Sequence, residues 1–457
     1  MTADTYDVIV IGAGPTGENV ADRAVRGGLS AAIVESELVG GECSYWACMP
    51  SKALLRPVGV VAEASAVRGV TGARLEAAGV LKRRDSFAHD WSDEGQVSWL
   101  ESAKVALFRG HGRLTGERTV TVGDVTLTAR HAVCVAAGTG AVIPPVLAQV
   151  RPWTSREATS AHAVPGRLAI VGGGVVGCEM AAAWSALGSQ VTLLSQGGLL
   201  DRLPAFAGEA VASGLQDAGV DVRLGVNVSA ATRTAGGVTL TLDDGAPVTC
   251  DEVLSAAGRY PKTGDIGLST VGLPDGSWLS ADDTMRVTDV PGGWLYAAGD
   301  VNHRALLTHM GKYQARICGD AIAARARGQE PSVRDLASVT CVPQVIFTVP
   351  EVAAVGVTAS QAAASGLRVR VVEYATGDVA GASLFADGYQ GQAQMVVDED
   401  RSVIVGMTLA GPGVGEMIHA ATIAVAGEVP LRSLWHAVPS YPTMSELWLR
   451  LLETYGL

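Results

Sequence analysis

At 457 residues the chain is too long for one ordinary hydrophobic core, so we expect several domains. Apolar residues make up 48% of the sequence and charged residues 18%, a balance that excludes a disordered chain. The net charge of −12 repels anionic surfaces, so we expect neither a nucleic-acid partner nor a membrane partner.

The remaining composition points to a cytoplasmic protein. No apolar run reaches the roughly 18–20 residues that a bilayer span requires, and the N-terminal segment lacks the basic stretch and cleavage site of a secretory signal. The seven cysteines are scattered and odd in number, which disfavours a disulfide scaffold. We therefore predict a cytoplasmic location, a small-molecule substrate and no metal site.

The first recognisable element covers residues 7–35. A buried strand leads into a glycine-rich turn, an Ala-rich helix and a second strand that ends at Glu35. The glycines of this turn are Gly12, Gly14 and Gly17. Such a turn lets backbone N–H groups approach a pyrophosphate, and the helix N-terminus adds partial positive charge. The pattern predicts the opening of a dinucleotide-binding domain.

A cysteine-containing segment follows directly, with Cys43, Cys48 and Lys52 in residues 40–52. It should begin a helix that lies against whatever the first element binds. Two cysteines at this spacing can be bridged only with local distortion, which makes a disulfide easier to reduce. A helix N-terminus and the nearby Lys52 charge both lower a thiol pKa. We interpret the pair as redox-active rather than as two structural thiols.

Residues 58–100 have helical composition, and residues 105–136 resemble short strands that end close to Gly138. Residues 168–195 then repeat the pattern of strand, glycine turn, helix and strand. The glycines here are Gly172, Gly174 and Gly177, and the second strand ends at Ser195. One such turn is weak evidence, but two copies in the same structural frame are strong evidence for two Rossmann-type domains.

From about residue 335 the character changes to Val/Thr alternation at 339–348, 368–374 and 393–397, with one helix at 413–427. This pattern predicts an antiparallel sheet packed on helices, a separate C-terminal domain. The fold class is therefore α/β, with two Rossmann-type nucleotide-binding domains and a C-terminal α+β domain. The predicted segments are 1–150, 151–268, 269–334 and 335–457.

Taken together, the motifs resemble the class I pyridine nucleotide-disulfide oxidoreductases, a family that includes dihydrolipoamide dehydrogenase, glutathione reductase and mercuric reductase. The resemblance rests on both glycine turns, the cysteine segment, and three later motifs in family order: 298–300, 347–351 and 441–446. It covers essentially the whole chain. It implies that residues 1–150 and 269–334 bind FAD, residues 151–268 bind the nicotinamide dinucleotide, and residues 335–457 form a homodimer.

The resemblance also implies roles for single residues. Glu35 and Asp300 would hold the ribose and ribitol sides of FAD, together with the first glycine turn and Gly138. Lys52, paired with Glu179, would lie near flavin N5. Cys48 would contact the flavin and Cys43 would exchange with substrate. The implied chemistry is a hydride relay from nicotinamide through flavin to the Cys43–Cys48 disulfide.

The terminal motif departs from the disulfide reductases, whose His protonates the leaving thiol. Tyr441 stands in its place, and Glu446 keeps the place of the acid that orients the His. A tyrosine is a poor base at neutral pH but can donate a hydrogen bond. His436 is a possible substitute. Mercuric reductases also have Tyr here, but the C-terminal cysteine pair that they use for the metal is absent from this sequence.

Two further departures concern specificity. Tyr45 and Trp46 stand between the cysteines and serve either as stacking partners for an aromatic acceptor or as core filling. Ser195 takes the place of the carboxylate that accepts hydrogen bonds from the NAD ribose, and Arg202 is available for a 2′-phosphate. NADPH is therefore expected over NADH.

Three functions remain open from the sequence. The first is reduction of a disulfide or another small acceptor through the cysteine pair. The second is an NAD(P)H:quinone or other electron-acceptor reductase, in which the missing His has no cost. The third is a biosynthetic flavoenzyme that reacts with an organic substrate directly at the flavin.

Overall fold

The structure is a computed structural model that describes residues 4–457. Its contacts divide these residues into two compact units, each assembled from three stretches of chain. The first unit comprises residues 4–50, 85–141 and 259–339, and the second comprises residues 51–84, 142–258 and 340–457.

The strands of the described residues are, in chain order, β1 Asp4–Ile11, β2 Ala31–Glu35, β3 Val105–Arg109, β4 Gly112–Gly116, β5 Thr119–Val122, β6 Val125–Val135, β7 Thr139–Ala141, β8 Arg167–Val171, β9 Gln190–Ser195, β10 Asp221–Leu224, β11 Val228–Thr234, β12 Gly237–Leu242, β13 Pro247–Cys250, β14 Glu252–Ser255, β15 Arg259–Pro261, β16 Leu295–Ala297, β17 Gln344–Ile346, β18 Glu351–Gly356, β19 Val369–Ala375, β20 Gln392–Asp398 and β21 Val403–Gly411.

The α-helices are α1 Pro15–Arg26, α2 Gly41–Tyr45, α3 Cys48–Ser65, α4 Ala77–Phe87, α5 Glu94–Ser102, α6 Pro145–Ala148, α7 Ser155–Ser160, α8 Val175–Ala186, α9 Ala205–Asp217, α10 Thr308–Ala326, α11 Ala337–Thr340, α12 Ala359–Ala364, α13 Ala380–Phe385, α14 Ile418–Ala426, α15 Leu431–Leu434 and α16 Leu447–Tyr455. Short 3-10 turns occupy His89–Trp91, Leu268–Val271, Asp300–Asn302, Thr376–Asp378, Val414–Glu416 and Met444–Glu446.

The first unit is built on a sheet of order β3-β2-β1-β6-β5-β4, and β16 also pairs with β6. The strands β3, β2, β1, β6 and β16 are parallel, whereas β5 and β4 are antiparallel to their neighbours. All of Val8–Ile11 in β1 is buried, because a central parallel strand is covered on both faces. The first glycine turn follows this strand directly, at the carboxyl edge of the sheet.

The second unit repeats the parallel arrangement in the order β10-β9-β8-β14. It also contains a small antiparallel sheet, β11-β12-β13, and a five-stranded antiparallel sheet, β17-β18-β21-β20-β19. Helices α14 and α16 pack on the five-stranded sheet. The predicted fold class, two Rossmann-type domains and a C-terminal α+β domain, is confirmed. Among the described residues, no helix is both long and apolar enough to cross a bilayer.

Candidate active site

The turn after β1 is tight because two of its glycines leave no room for a side chain. Gly12 has φ of +102°, and a Cβ there would lie 2.5 Å from the Ala136 carbonyl oxygen. A Cβ on Gly17 would collide with the Gly12 carbonyl oxygen. Gly14 is different, because the nearest atom to a Cβ would be Gly41 Cα at 4.0 Å. The space before the α1 N-terminus is therefore open to a phosphate.

Carboxylates stand at two places around this turn. The Glu35 carboxylate, at the end of β2, accepts hydrogen bonds from Ala13 N at 2.7 Å and Glu37 N at 2.8 Å. The Thr139 hydroxyl donates to Asp300 Oδ2 at 2.6 Å. Burial raises the pKa of Asp300, and the hydrogen bond from Thr139 opposes that shift. Gly138, just before Thr139, has φ of +72°, and a Cβ added there would meet no other atom within 4 Å.

A third acidic group, Glu18 in the first turn of α1, was not singled out from the sequence. Its Oε1 is buried and has no hydrogen-bond partner among the described residues. Burial raises the pKa of Glu18 to about 7, the Lys312 charge lowers it, and Glu35 raises it further. A buried polar atom without a partner is rare in a folded protein and indicates a group that a ligand can satisfy.

The second glycine turn, in the second unit, repeats the geometry of the first. Gly172 has φ of +125°, and a Cβ there would collide with the Ala256 carbonyl oxygen. A Cβ on Gly177 would collide with the Gly172 carbonyl oxygen. A Cβ on Gly174 would meet nothing within 4 Å. The free space again lies before a helix N-terminus, that of α8.

Ser195 ends β9 as Glu35 ends β2. Its hydroxyl donates to the Gly198 carbonyl oxygen at 3.1 Å, and the side chain is buried. Arg202 is exposed. Asp201, which the sequence analysis did not consider, lies over the following turn, since a Cβ on Gly198 would be 2.6 Å from its Oδ1. A cation and an anion thus stand side by side near the end of β9.

In the first unit the two cysteines lie on separate helices. Cys43 is in α2, Trp46 breaks the helical conformation with φ of −139°, and Cys48 begins α3. Neither cysteine forms a disulfide in the structure. The hydrogen bond with Cys48 and burial raise the pKa of Cys43 far above the usual thiol value. Our expectation of a lowered pKa is therefore wrong for Cys43, because α2 is too short to outweigh burial and a neighbouring thiol.

Thr308 and Lys312, on the first turns of α10, also act on the cysteine pair. Thr308 Oγ1 lies 3.3 Å from Cys48 Sγ. The Thr308 hydroxyl and the positive charge of Lys312 both lower the Cys43 pKa, although neither offsets the shift caused by Cys48 and burial. Thr308 and Lys312 thus favour the thiolate of Cys43, whereas burial and Cys48 disfavour it.

In the second unit, Lys52 and Glu179 form an ion pair with 2.7 Å between Nζ and Oε2. Glu179 is buried, and its Oε1 accepts a hydrogen bond from Phe347 N at 3.1 Å. Lys52 Nζ also lies over the Phe347 ring, 5.1 Å from its centroid. The motif at 347–351 therefore supports this pair through both its backbone and its ring.

The terminal motif, also in the second unit, presents Tyr441 with 77% of its surface exposed. Glu446 is buried, and its Oε1 accepts a hydrogen bond from Arg450 Nη2 at 2.6 Å. The second oxygen of Glu446 is buried without a hydrogen-bond partner in the described chain. His436 is exposed. Glu446 is thus engaged by Arg450, one helical turn away.

Comparison with known proteins identifies the family. Residues 6–323 match the sequence profile described as pyridine nucleotide-disulphide oxidoreductase. Residues 342–451 match the dimerisation domain of the same family. The chain belongs to the pyridine nucleotide-disulphide oxidoreductases. It is an FAD-dependent oxidoreductase of the disulfide reductase type, and it contains the domain through which the family dimerises.

Individual relatives agree with this assignment. Dihydrolipoyl dehydrogenase 3 of Pseudomonas aeruginosa is 33% identical over 97% of this chain and 96% of its own length. Dihydrolipoyl dehydrogenase of Cupriavidus necator is 31% identical with the same coverage. The fold matches RclA of Escherichia coli, described as a flavoprotein disulfide reductase, with a TM-score of 0.85 at 22% identity over 99% of each chain. It also matches LpdA of Mycobacterium tuberculosis, with a TM-score of 0.85 at 24% identity over all of both chains.

The residues around the first glycine turn fit FAD. The open approach at Gly14 suits a pyrophosphate, and the fixed Glu35 carboxylate suits a ribose diol. The unpartnered Glu18 Oε1 and the buried Asp300 supply further polar atoms for a large ligand. The described residues contain no cluster of ligands suited to a metal ion.

Thr308, like Glu18, is a residue of the candidate site that the sequence analysis missed. It begins α10, more than 250 residues after the cysteines, and belongs to no quoted motif. The available signal was its position shortly after Asp300, where a long helix begins close to a predicted cofactor residue.

Proposed function

We propose that the chain reduces a disulfide, or another small acceptor, with electrons from NAD(P)H that pass through Cys43 and Cys48. The observation that carries this proposal is the contact between the two thiols and the Thr308 hydroxyl. When bound, FAD would supply the two-electron chemistry that links the nicotinamide with the Cys43–Cys48 disulfide. Gly12, Gly14, Gly17, Gly138, Glu35 and Asp300 would hold FAD.

The exchange steps follow from thiol chemistry. The Cys43 sulfur, as thiolate, attacks one sulfur of the substrate disulfide and forms a mixed disulfide, and the other substrate sulfur leaves as a thiolate that takes up a proton. Cys48 then attacks Cys43 Sγ, which releases the second substrate thiol and restores the Cys43–Cys48 disulfide. Because the Cys43 pKa is raised, its proton must first pass to an acceptor, and Cys48 is within hydrogen-bond contact.

Other residues would support these steps. Lys52, held by Glu179 and Phe347, would supply a fixed positive charge beside the cofactor. The Tyr441 hydroxyl would donate a hydrogen bond to the departing sulfur. We further propose that Tyr441 and Glu446 act in the site of a second subunit of a homodimer, as the resembled family implies.

The nicotinamide nucleotide would bind at Gly172, Gly174 and Gly177, and we propose that it is NADPH. Ser195 leaves the ribose without its usual carboxylate, and the exposed Arg202 can pair with a 2′-phosphate. Asp201 opposes this preference because its charge repels a phosphate. We also retain the cytoplasmic location and the domain boundaries given above as proposals.

A second candidate is an NAD(P)H:quinone or other electron-acceptor reductase. Two observations favour it: Tyr441 in place of His, and the raised Cys43 pKa, which disfavours the thiolate. Steady-state turnover with NADPH against a panel of disulfides, quinones and metal ions separates the candidates when wild type and Cys43→Ser are compared. A disulfide reductase loses its best activity in Cys43→Ser, whereas a quinone reductase keeps it.

A further inference from the structure

A strained turn in the first unit lies next to the segment that carries the cysteines. His89, Asp90 and Trp91 have φ of 50°, 49° and 56°, so three consecutive residues with a Cβ adopt a left-handed conformation. Asp and His adopt this conformation more readily than most residues, but it is unfavourable for Trp and uncommon in three consecutive residues. Contacts outside the turn must therefore hold it in place.

Those contacts reach Tyr45, the last residue of α2. The Trp91 indole N–H donates to the Tyr45 carbonyl oxygen at 3.1 Å. The Tyr45 hydroxyl lies 3.0 Å from the Val39 carbonyl oxygen, 3.3 Å from that of Ser92 and 3.1 Å from Gln96 Oε1. We call residues 89–96 the clasp. The clasp fixes both the backbone and the side-chain end of Tyr45, which is fully buried.

A third contact completes the clasp. Asp93 Oδ2 accepts hydrogen bonds from Val39 N at 2.8 Å and from Arg109 Nη2 at 2.6 Å. The Arg109 guanidinium also donates to the Glu37 carbonyl oxygen at 2.7 Å. The chain that enters α2 is therefore held, as is its last residue. The clasp thus forms hydrogen bonds just before the start of α2, at Val39, and at its end, at Tyr45.

The position of Tyr45 connects the clasp with the cysteine pair. Cys43 precedes Tyr45 by two residues in α2, and the helix break at Trp46 leads to Cys48. Disulfide formation must move at least one of the two sulfurs closer to the other, and the two sulfurs are carried by the segments on either side of this junction. The structure describes the form without a disulfide, in which the hydrogen bond from the Trp91 indole to Tyr45 is made.

We propose that Trp91 is a positioning residue that holds Tyr45 and thereby favours the dithiol form of the Cys43–Cys48 pair over the disulfide. This inference rests on the proposed function, because it takes the pair to be redox-active. The indole N–H affects the equilibrium between dithiol and disulfide only if its hydrogen bond to Tyr45 differs in strength between these two forms. A hydrogen bond that is made in the dithiol form and lost in the disulfide form changes the equilibrium constant between them several-fold.

The test is a redox titration of the FAD-containing enzyme in buffers of reduced and oxidised dithiothreitol, with the Cys43 and Cys48 thiols quantified by alkylation and mass spectrometry. Trp91→Phe keeps an aromatic ring and removes the N–H. Trp99→Phe is the matched control, because it makes the same change in α5 at a half-exposed position. We expect Trp91→Phe to lower the dithiol-to-disulfide ratio about fivefold at a given buffer poise, about 20 mV for a two-electron couple.

Tyr45→Phe, which removes the hydroxyl without touching a sulfur, should shift the ratio in the same direction and serves if Trp91→Phe fails to fold. A Trp91→Phe ratio within twofold of that of Trp99→Phe overturns the positioning role. A wild-type titration that shows no Cys43–Cys48 disulfide contradicts the proposed function itself. The two failures are therefore distinguishable.

Discussion

The second glycine turn yields a sharp contrast between two alanine substitutions three residues apart. Gly174 has φ of −80° and ψ of −173°, which alanine adopts without strain, and its Cβ would meet no protein atom within 4 Å. Gly174→Ala should therefore change the free energy of unfolding by less than about 1 kcal/mol. A Cβ on Gly177 would collide with the Gly172 carbonyl oxygen. Gly177→Ala should cost more than about 3 kcal/mol, because helix and strand must separate.

The effect on nucleotide binding should be the reverse. The Gly174 methyl group would fill the space before α8 and remove one or two charge-assisted hydrogen bonds, each about 1.5–3 kcal/mol. The KM for NADPH should thus rise by at least about tenfold in Gly174→Ala, with FAD content unchanged. Thermal unfolding and steady-state kinetics measure both quantities. An unchanged KM in Gly174→Ala, or wild-type stability in Gly177→Ala, would refute this account of the turn.

Four further predictions follow from single residues. Wild type should have a higher kcat/KM with NADPH than with NADH, and Ser195→Glu should shift the preference towards NADH; a wild-type preference for NADH contradicts the proposal. Tyr441→Phe should slow reduction of a disulfide by at least about tenfold and leave quinone reduction unchanged, as stopped-flow kinetics can establish. In the reduced enzyme, alkylation of Cys43 by iodoacetamide should be slower at pH 7 than that of free cysteine and rise with pH, because its pKa is raised. Glu18→Gln should stabilise the flavin-free protein by up to about 3 kcal/mol at pH 8, because the Glu18 pKa of about 7 means that folding must bury a charge above that pH. This gain should disappear below pH 4.5, where both states are protonated, and a gain that persists at pH 4 excludes the titration of Glu18.

The glycine turns were predictable from sequence because their constraints are local. Gly12 and Gly17 are required by backbone contacts within one strand–turn–helix unit, and the same holds for Gly172 and Gly177. The cysteine segment was also recognisable from its own residues, and the resemblance added the separate roles of the two cysteines and the terminal motif. Ser195 is equally local, since it lies as far from Gly172 as Glu35 lies from Gly12.

Properties that depend on distant residues were not predictable. The hydrogen bond with Cys48 and burial raise the Cys43 pKa, and the groups on α10 only lessen that rise, so a rule based on a helix N-terminus gave the wrong direction. Alternation predicted β19 and β20, but β21 is buried at every position and shows no alternation. The helix predicted at 413–427 begins only at Ile418, because Gly413 is left-handed and a 3-10 turn follows it.

The central claim is that electrons pass through the cysteine pair, and turnover by Cys48→Ser tests it most directly. The matched control is Cys250→Ser, because Cys250 is a buried thiol in β13 whose contact with the Val238 carbonyl oxygen a serine can keep. With the best acceptor of the wild-type enzyme and NADPH as donor, Cys48→Ser should retain less than about one thousandth of the wild-type kcat/KM, and Cys250→Ser should retain most of it. Cys48→Ser activity within a few-fold of wild type would contradict the relay.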